Sequence, residues 1–410
     1  MEYIQFLTKL IELFIFVFLS FAVVYITFFG IAAYLPRRSK PQNDSLIRKF
    51  AVLIPGYKED LVIVQVAADA LKQDYPSERF EVIVIADSFK PETLAELRKL
   101  PIRVVEVVFE VSKKSKALNK CMEIIGDDYD IALVLDADNL MEPTVLKKMN
   151  DAFNRGFVAV QGHRMAKNTN TNFAILDAIS EEINNHIFRK GHRAVGLSSA
   201  LIGSGMGVEY GLYKKLMAGV DSVGEDKELE MKLLKGKFCI EYLEDAWVYD
   251  EKTQKPEVFV NQRRRWIAAQ LSHFRDFYFD GLKQFLKNGN LDYFIKVIQM
   301  IQPPRILLIG FLFILATLST LFNLLFPMVY GDFFVIEYRF WIVLFAAALG
   351  TLIISVPGKF YTSRTFVALL SLPKGFLMMM LSLMRIKGAT KRFIHTAHTH
   401  AEEPTNQKRN

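Results

Sequence analysis

"IALVLDADNL", residues 131–140, is a short apolar run that ends in two carboxylates, Asp136 and Asp138. Like charges this close repel each other unless a cation lies between them or one takes up a proton. Mg²⁺ suits such a pair, because it takes one or two carboxylates and completes its shell with water and substrate phosphates. The pattern therefore indicates a cation site for a nucleotide diphosphate; the alternative is a solvated loop whose Asp and Asn side chains cap a helix.

The chain around this run alternates between strand-like and helix-like patterns. Short apolar, β-branched runs occupy residues 50–55, 80–87, 102–108, 131–136 and 157–162. Helical patterns lie between them, at residues 60–72, 91–99, 114–125 and 142–154. Because strands that alternate with helices indicate βαβ units, the sequence predicts an α/β fold with a mostly parallel sheet.

Polar residues close three of these strands. The first is followed by a segment with Pro55, Tyr57 and Glu59, the second ends at Asp87, and the fourth ends at the carboxylate pair. Ligands of such sheets bind beyond the carboxyl ends of the strands. These side chains are therefore expected to converge on one crevice.

Two stretches downstream carry further candidate site residues. "SVGEDKELEMKLLKGKF" (222–238) places Glu225 and Asp226 at the start of a helix, where acidic residues also serve as ordinary caps. "FVNQRRRWIAAQ" (259–270) offers Gln262, Arg265 and Trp266. Arginines beside a Trp form either a basic membrane-facing patch or a diphosphate site in which the Trp is a platform for a flat ligand face.

The composition indicates membrane segments, since 51% of the residues are hydrophobic and 34 are Phe. Three uncharged stretches are long enough to span a bilayer: residues 13–35, 306–330 and 340–358. The first is predicted to be a span and not a signal peptide, because its start is not basic and no small-residue cleavage site follows. Residues 365–384 are interrupted by Pro373 and Lys374, which favours an interfacial or re-entrant helix.

Basic residues favour the cytoplasmic side of a membrane and so predict the orientation. Those after the first span are Arg37, Arg38, Lys40, Arg48 and Lys49. The N-terminus is then outside, and the middle of the chain and the C-terminal tail are cytoplasmic, provided that residues 365–384 do not cross. Residues 281–302 are either a helix pair on the membrane surface or an amphipathic helix packed on the soluble domain.

Charge and cysteine content add weaker constraints. The net charge is +7, from 51 basic and 44 acidic residues, and we expect no nucleic-acid partner. Cys121 and Cys239 lie far apart and have no metal-type spacing. They are expected to be free thiols in a reducing compartment.

Five motifs in one order, together with the span layout, resemble a known family. They are Pro55-x-Tyr57-x-Glu59 with Asp87, Lys116-Ala-Leu-Asn119, Asp136-x-Asp138, Glu225-Asp226 and Gln262-x-x-Arg265-Trp266. The chain resembles, over nearly its whole length, the membrane-integrated family-two inverting glycosyltransferases: cellulose, chitin and hyaluronan synthases and bacterial exopolysaccharide relatives. It departs from them at Gly224, where the family usually has Thr, at "GSGMGVEY" (203–210), and at Phe393, in the place of a Trp.

The resemblance implies a GT-A type nucleotide-sugar-binding domain and a UDP-sugar donor, UDP-GlcNAc or UDP-Glc. Asp138 and Asp136 would hold Mg²⁺ or Mn²⁺ on the diphosphate. Asp226, beside Glu225, would be the general base, and Trp266 would bind the acceptor sugar. The residues that would bind the donor nucleotide are Pro55, Tyr57, Glu59, Asp87, Lys116, Asp136, Gln262 and Arg265.

The resemblance also divides the chain into six segments. They are an N-terminal transmembrane helix (1–36), a cytoplasmic GT-A domain (37–280), interfacial helices (281–304), two transmembrane helices (305–358), an interfacial or re-entrant helix (359–390) and a cytoplasmic tail (391–410). The implied protein is a multi-pass enzyme of the cell (inner) membrane, in contact with the lipid bilayer.

The sequence leaves two kinds of acceptor substrate open. The motif at 262–266 and the interface helices favour a growing polysaccharide. The 203–210 stretch and the few spans favour transfer of one sugar to a lipid carrier or short glycan. A third reading, a transporter or receptor that merely binds nucleotide, is disfavoured because the uncharged spans lack the ionisable residues that mark transport paths.

Overall fold

The computed structural model describes residues 1–37, 41, 45–220, 224–252 and 256–384, but not the side chains of residues 256–263 and 382–384. Several expectations lie outside that part of the chain. They concern Arg38, Lys40, the tail 391–410 with Phe393, and the side chain of Gln262.

The described residues form one central sheet. Its strands are β1 (Phe50–Tyr57), β2 (Phe80–Asp87), β3 (Arg103–Val107), β4 (Ile131–Val134), β5 (Leu140–Met141), β6 (Ala159–Ala166), β7 (Met206–Glu209) and β8 (Ile240–Asp250). Their order is β3-β2-β1-β4-β7-β6-β8-β5. Strands β1 to β4 pair in parallel, as do β6 and β8, whereas β7 and β5 pair antiparallel with their neighbours. The predicted α/β fold with a mostly parallel sheet is confirmed.

Helices surround the sheet and extend away from it. They are α1 (Glu2–Ala32), α2 (Ile63–Ala70), α3 (Pro91–Leu97), α4 (Lys114–Ile125), α5 (Val145–Asn154), α6 (Asn172–Asn184), α7 (His192–Ala194), α8 (Tyr210–Met217), α9 (Glu225–Lys235), α10 (Pro256–Asn288), α11 (Leu291–Gln299), α12 (Arg305–Leu325), α13 (Tyr330–Phe333), α14 (Tyr338–Ile354), α15 (Ser363–Leu369) and α16 (Leu372–Met384). A π-helical turn, Asn185–Gly191, joins α6 to α7.

The sheet is covered by apolar side chains on both faces. Along β1, Phe50, Val52 and Ile54 pack into one core cluster, and Ala51 and Leu53 pack into the other. A parallel strand that is buried on both faces needs apolar residues at every position. This explains why the first strand is a continuous apolar run and does not alternate with polar residues.

The carboxyl ends of β1 and β2 meet at one edge of the sheet. Tyr57 lies opposite Asp87 in the parallel register. The next residues, Lys58 (φ 56°) and Ser88 (φ 61°), are left-handed. Such a conformation in a residue other than glycine costs of order 1–3 kcal/mol and is found preferentially at functional sites.

Among the described residues, three helical segments are long and apolar enough to cross a membrane, namely Glu2–Ala32, Arg305–Leu325 and Ser363–Leu381. Helix α14 is apolar but shorter. Helices α1, α12 and α14 pack on one another through a shared cluster that includes Ile26, Leu312 and Trp341. They occupy the three stretches predicted to be spans, although α14 is shorter than Ser363–Leu381, which was predicted not to cross; that any of them crosses a membrane stays a prediction.

Contacts at the two ends of these helices give their direction. At the domain end, His186 Nε2 of the π-helical turn lies 2.9 Å from Gly30 O of α1, and Tyr34 hydroxyl donates to Ile354 O. At the far end, Glu12 Oε2 accepts from Val335 N at 2.7 Å. The start of α1 and the α12–α14 connection therefore lie together, away from the domain, and the side of the membrane that they face stays a prediction.

The segment 363–381 is divided into two helices that lie against the domain. Helix α15 packs on α6, and α16 packs on α10 and the first turns of α12. The Phe376 ring lies 5.6 Å from the Phe311 ring, and Met379 packs with Ile267 of α10. This packing supports the interfacial reading of residues 359–390, which stays a prediction.

Residues 281–302 pack against the domain that contains the sheet. The predicted boundary between residues 280 and 281 falls inside α10, and α11 places Tyr293 and Val297 in the core cluster beneath the sheet. Asn290 caps α11 by accepting from Tyr293 N at 3.1 Å. Of the two readings of this stretch, the packed amphipathic helix agrees with these contacts.

We expect labelling of single cysteines to place the far-end loop outside the cell and the domain inside. Once Cys121 and Cys239 are replaced, Met328→Cys (residue 94% exposed) should react with an impermeant maleimide in intact cells. Asp128→Cys (native side chain 89% exposed) should react only after lysis. Asn410→Cys tests the tail: if it reacts in intact cells, residues 365–384 cross the membrane and the predicted topology is wrong.

Candidate active site

The ends of β1 and β2 form one wall of the site. Lys58 N donates to Asp87 O at 3.1 Å, which holds the two strand ends together. The Asp87 side chain is buried and accepts from Ser88 Oγ at 2.9 Å. Four residues that were predicted to bind the sugar-donor nucleotide line one cavity: Pro55, Tyr57, Glu59 and Asp87.

The paired carboxylates after β4 differ in their surroundings. The Asp136 side chain is 34% exposed, whereas Asp138 is 3% exposed. Asp138 Oδ1 accepts from Asn139 Nδ2 and Oδ2 accepts from Glu251 N, both at 3.1 Å. Asn139 Nδ2 also lies 3.4 Å from Oδ1 of Asp250, the last residue of β8. Three carboxylates thus lie along this edge of the sheet.

The donor set of Asp136 and Asp138 fits a divalent cation that is shared with a substrate. In the described ranges, His, Cys, Asp and Glu form no group of three or more that could hold a metal ion by itself. Mg²⁺, however, needs only one or two carboxylates when substrate phosphates complete its shell. A carboxylate oxygen has more than one acceptor position, so a hydrogen-bonded Asp138 can still bind a cation.

The acid pair Glu225 and Asp226 opens α9 directly after Gly224. Asp226 Oδ1 accepts from Lys227 N at 2.9 Å, and the helix N-terminus favours its negative charge. Burial raises the pKa of the Glu225 carboxyl, and the attraction of Lys114 only partly opposes this. Of the two acids, Glu225 is therefore the one less suited to act as an ionised base.

Lys114 is the cation between the two acid pairs. Its Nζ donates to Asp136 Oδ1 and to Gly203 O, and lies 3.7 Å from Glu225 Oε1. Burial lowers the pKa of Lys114, but the attraction of Asp136 and Glu225 outweighs burial and the pKa is raised. The resemblance pointed to Lys116 instead. Lys116 lies about 200° further around the helix and does not line the cavity. Lys114 therefore occupies the place in the cavity wall that was predicted for Lys116.

His273, on α10, occupies the space beside Gly224. A Cβ at position 224 would lie 3.1 Å from His273 Nε2 and 3.8 Å from Asp226 Oδ1. Burial lowers the pKa of His273 although Asp226 raises it, which favours a neutral ring. Gly224 also has φ 107°, which suits glycine. The close ring and the left-handed backbone both disfavour a side chain at position 224.

Gly224→Ala is expected to lower both thermal stability and sugar transfer. A left-handed non-glycine residue costs about 1–2 kcal/mol, and the new Cβ would also press on His273. Gly219→Ala is the matched control, because Gly219 has φ 77° but nothing within 4 Å of its Cβ position. We expect a larger fall in Tm for Gly224→Ala. Equal falls in Tm for the two variants would show that the His273 ring moves aside without loss of stability.

Helix α10 supplies basic and aromatic groups. Arg264, Arg265 and Trp266 line the cavity, and Trp266 is 40% exposed. Burial lowers the pKa of Arg265, and the negative charge of Glu225 partly opposes this. Gln270 Nε2 donates to Met300 O at 2.7 Å, which fixes α10 to the segment before α12.

One cavity of about 1850 Å³ connects the strand ends with the apolar helices. A site for one drug-sized ligand is typically about 300–1,000 Å³, so this cavity has room for two substrates. Its end at the sheet edge holds the predicted site residues Tyr57, Asp87, Asp136, Asp138, Glu225, Asp226, Arg265 and Trp266. Its other end is lined from the apolar helices by Leu308, Phe313, Phe345, Leu352 and Phe376.

The cavity wall also contains ionisable residues that were not predicted from the sequence, among them Lys114, Asp250, His273 and Lys296. Asp250 ends β8, so the rule that singled out the other strand-end carboxylates would have found it if β8 had been predicted. His273 follows Trp266 by seven residues, about two helical turns, and therefore lies on the same face of α10. No local signal marks Lys296.

Known proteins show similarity to this domain. Residues 48–269 match the family described as "Glycosyltransferase like family 2". The beta-monoglucosyldiacylglycerol synthase of Trichormus variabilis is 24% identical over 257 residues, 61% of this chain and 54% of that protein. A probable glycosyltransferase of Bacillus subtilis is 26% identical over 245 residues, 56% of each chain. The chain spans about half the length of these curated relatives.

A solved structure extends the similarity to the fold. The mannosyltransferase from Pyrobaculum calidifontis, in complex with GDP-mannose and Mn²⁺, has a TM-score of 0.50 at 15% identity, and covers 86% of this chain and 98% of its own. At this identity the match shows a shared fold alone. The cellulose, chitin and hyaluronan synthase type stays a prediction. Because the family match spans more than half of the chain and contains the strand ends, the acid pair and Trp266, the protein belongs to glycosyltransferase family 2.

Proposed function

We propose that the protein transfers one sugar from a UDP-sugar, UDP-GlcNAc or UDP-Glc, to a lipid-borne acceptor, with inversion at the anomeric carbon. The observation that carries this proposal is the continuity of the cavity from the carboxylates to the apolar helices. Apolar surface left in water costs about 25 cal/mol per Å², and acyl chains would cover it better than a glycan would. The named product of the Trichormus variabilis relative, a glucosyl-diacylglycerol, supports a lipid acceptor.

The donor would lie across the strand ends. Tyr57 and Asp87 would contact the base, and Asp136 would contact the nucleoside. Lys114 and Arg265 would face the diphosphate, since ammonium and guanidinium groups bind phosphate oxygens. Asp138, with Asp136, would hold Mg²⁺ or Mn²⁺, and a bound cation supplies positive charge that offsets the charge developing on the leaving diphosphate.

The acceptor hydroxyl would approach from the side of α9 and α10. Asp226 would take its proton as the bond to the anomeric carbon forms. Trp266 would stack on the acceptor and hold it in line for attack. A single displacement inverts the anomeric configuration, so no carboxylate nucleophile is required.

The proposed setting is a cell membrane, with the catalytic domain on the cytoplasmic side. It rests on the basic residues after the first span and on the packing of α1, α12 and α14. The domain's donor site would then draw on cytoplasmic nucleotide sugars, and the apolar end of the cavity would face the bilayer.

Product analysis with detergent-solubilised protein tests the proposal. A panel of UDP-sugars is first screened for UDP release, and each active donor is then incubated with lipid acceptors. We expect one added sugar on a lipid, seen by mass spectrometry. A ladder of long chains would instead support the growing polysaccharide that the motif at 262–266 favoured. Absence of UDP release with every donor, alongside solute flux, would support the transporter reading.

A further inference from the structure

A buried lysine lies in the cavity wall outside the catalytic groups named so far. Lys296, on α11, is 1% exposed, and within the described residues its Nζ has no hydrogen-bond partner. Glu230 Oε1 lies 3.8 Å from this Nζ, too far for a hydrogen bond. A buried ammonium without close partners costs several kcal/mol, so the site is chemically incomplete.

The nearest carboxylates have other close partners. Lys227 Nζ already donates to the other oxygen of Glu230 at 2.7 Å. Asp292 accepts from Ser198 N and Ser198 Oγ. Burial lowers the pKa of Lys296 to about 8, although Glu230 and Asp292 raise it. A bound anion would pair with the ammonium and keep it protonated.

Two amide side chains that follow Lys296 in the sequence supply further uncharged donors and acceptors in the cavity wall. Gln302 is 8% exposed, and neither its Oε1 nor its Nε2 has a partner among the described residues. Gln299 Oε1 is likewise buried and without a partner. All three side chains line the cavity that joins the catalytic carboxylates to the apolar helices. Gln299 follows Lys296 by three residues of α11, which puts both on one face of that helix, and an ammonium and an amide N–H can both donate to phosphate oxygens.

We propose that Lys296, with Gln299 and Gln302, binds a phosphodiester in the acceptor headgroup while a separate hydroxyl of that headgroup reaches Asp226. The inference rests on the proposed lipid acceptor and narrows it to anionic lipids. Glu230, beside Lys296, follows Asp226 by one turn of α9, about 6 Å along the helix, so a short spacer separates anion and nucleophile. The nucleophile is a hydroxyl because an ionised phosphate oxygen would not need a base.

In the transfer, the acceptor oxygen forms its bond to the anomeric carbon as the bond from that carbon to the diphosphate breaks. The hydroxyl proton passes to Asp226, and the electron pair of the broken bond leaves with UDP. Lys296 takes no part in these bonds. Its removal should therefore raise the KM for the acceptor much more than it lowers kcat.

The test compares phosphatidylglycerol with diacylglycerol of the same acyl chains, both in detergent micelles. Wild-type protein should have a KM for phosphatidylglycerol at least about tenfold below that for diacylglycerol, since a hydrogen bond to a charged group contributes about 1.5–3 kcal/mol. Lys296→Met should remove most of this preference, and Lys296→Arg should keep it. Lys235→Met, at an exposed lysine paired with Asp280, is the control that should match wild type.

Equal use of the two lipids by wild-type protein would overturn the inference but leave the proposed function standing. If Lys296→Met loses transfer activity equally with phosphatidylglycerol and with diacylglycerol, the lysine has a structural role and the inference is wrong. If Lys296→Met does not fold, the inference is still tested by the preference of the wild-type protein for phosphatidylglycerol and by whether Lys296→Arg keeps that preference. Preference for a lipid monophosphate would show that phosphate is the nucleophile and would overturn the hydroxyl assignment. Failure with every lipid would overturn the proposed function itself.

Discussion

Asp226→Asn is expected to lower the rate of sugar transfer by about a hundred- to ten-thousandfold, the contribution that general base catalysis typically makes. The asparagine keeps the shape of the side chain and its hydrogen bond from Lys227 N, but it cannot take up the acceptor proton. Donor binding should survive, because Tyr57, Asp87 and the carboxylates after β4 lie on other segments. The measurement pairs UDP calorimetry with transfer rates on the same protein.

The neighbouring acid gives the matched control. Glu225→Gln removes a carboxyl whose pKa burial already raises, so its effect on transfer should be smaller than that of Asp226→Asn. If UDP binding and transfer collapse together in Asp226→Asn, the residue is a structural cap of α9. If Asp226→Asn leaves the rate unchanged and Glu225→Gln abolishes it, the base is Glu225.

Asp138→Ala is expected to abolish turnover, by about a thousandfold or more, because a bound cation contributes several kcal/mol of charge stabilisation. Asp138 is 3% exposed and accepts hydrogen bonds from Asn139 and Glu251, so alanine also removes structural contacts. Asp138→Asn preserves most of the shape and separates the two effects. Wild-type protein should lose activity in excess chelator and regain it with Mg²⁺ or Mn²⁺.

The control for this prediction is Asp128→Ala. Asp128 is an exposed carboxylate that pairs with Lys49 at 2.5 Å and precedes β4, at the opposite end of that strand from Asp136 and Asp138. Its removal should leave transfer and metal dependence unchanged. Full activity of the wild-type protein in excess chelator would contradict a metal-dependent mechanism and would leave Lys114 and Arg265 as the cations that face the diphosphate.

The sequence was sufficient for the features that repeat along the chain. The apolar runs that became β1, β2 and β4 were predicted because strands buried on both faces must be apolar throughout. The site residues at their ends followed, because the carboxyl ends of parallel strands share one edge of the sheet. Asp87, Asp136 and Asp138 do line one cavity, and the uncharged stretches did become α1, α12 and α14.

Only the tertiary structure showed which side chains point into the cavity and which contact residues that are distant in the sequence. Lys114 and Lys116 have the same local sequence context, and only the rotation of α4 against the sheet turns Lys114 toward Asp136. His273 meets Gly224 because α10 packs beside the start of α9, and Lys296 is buried because α11 packs into the core. The sequence carries no local mark of such contacts, because they join segments that come together only when the whole chain packs.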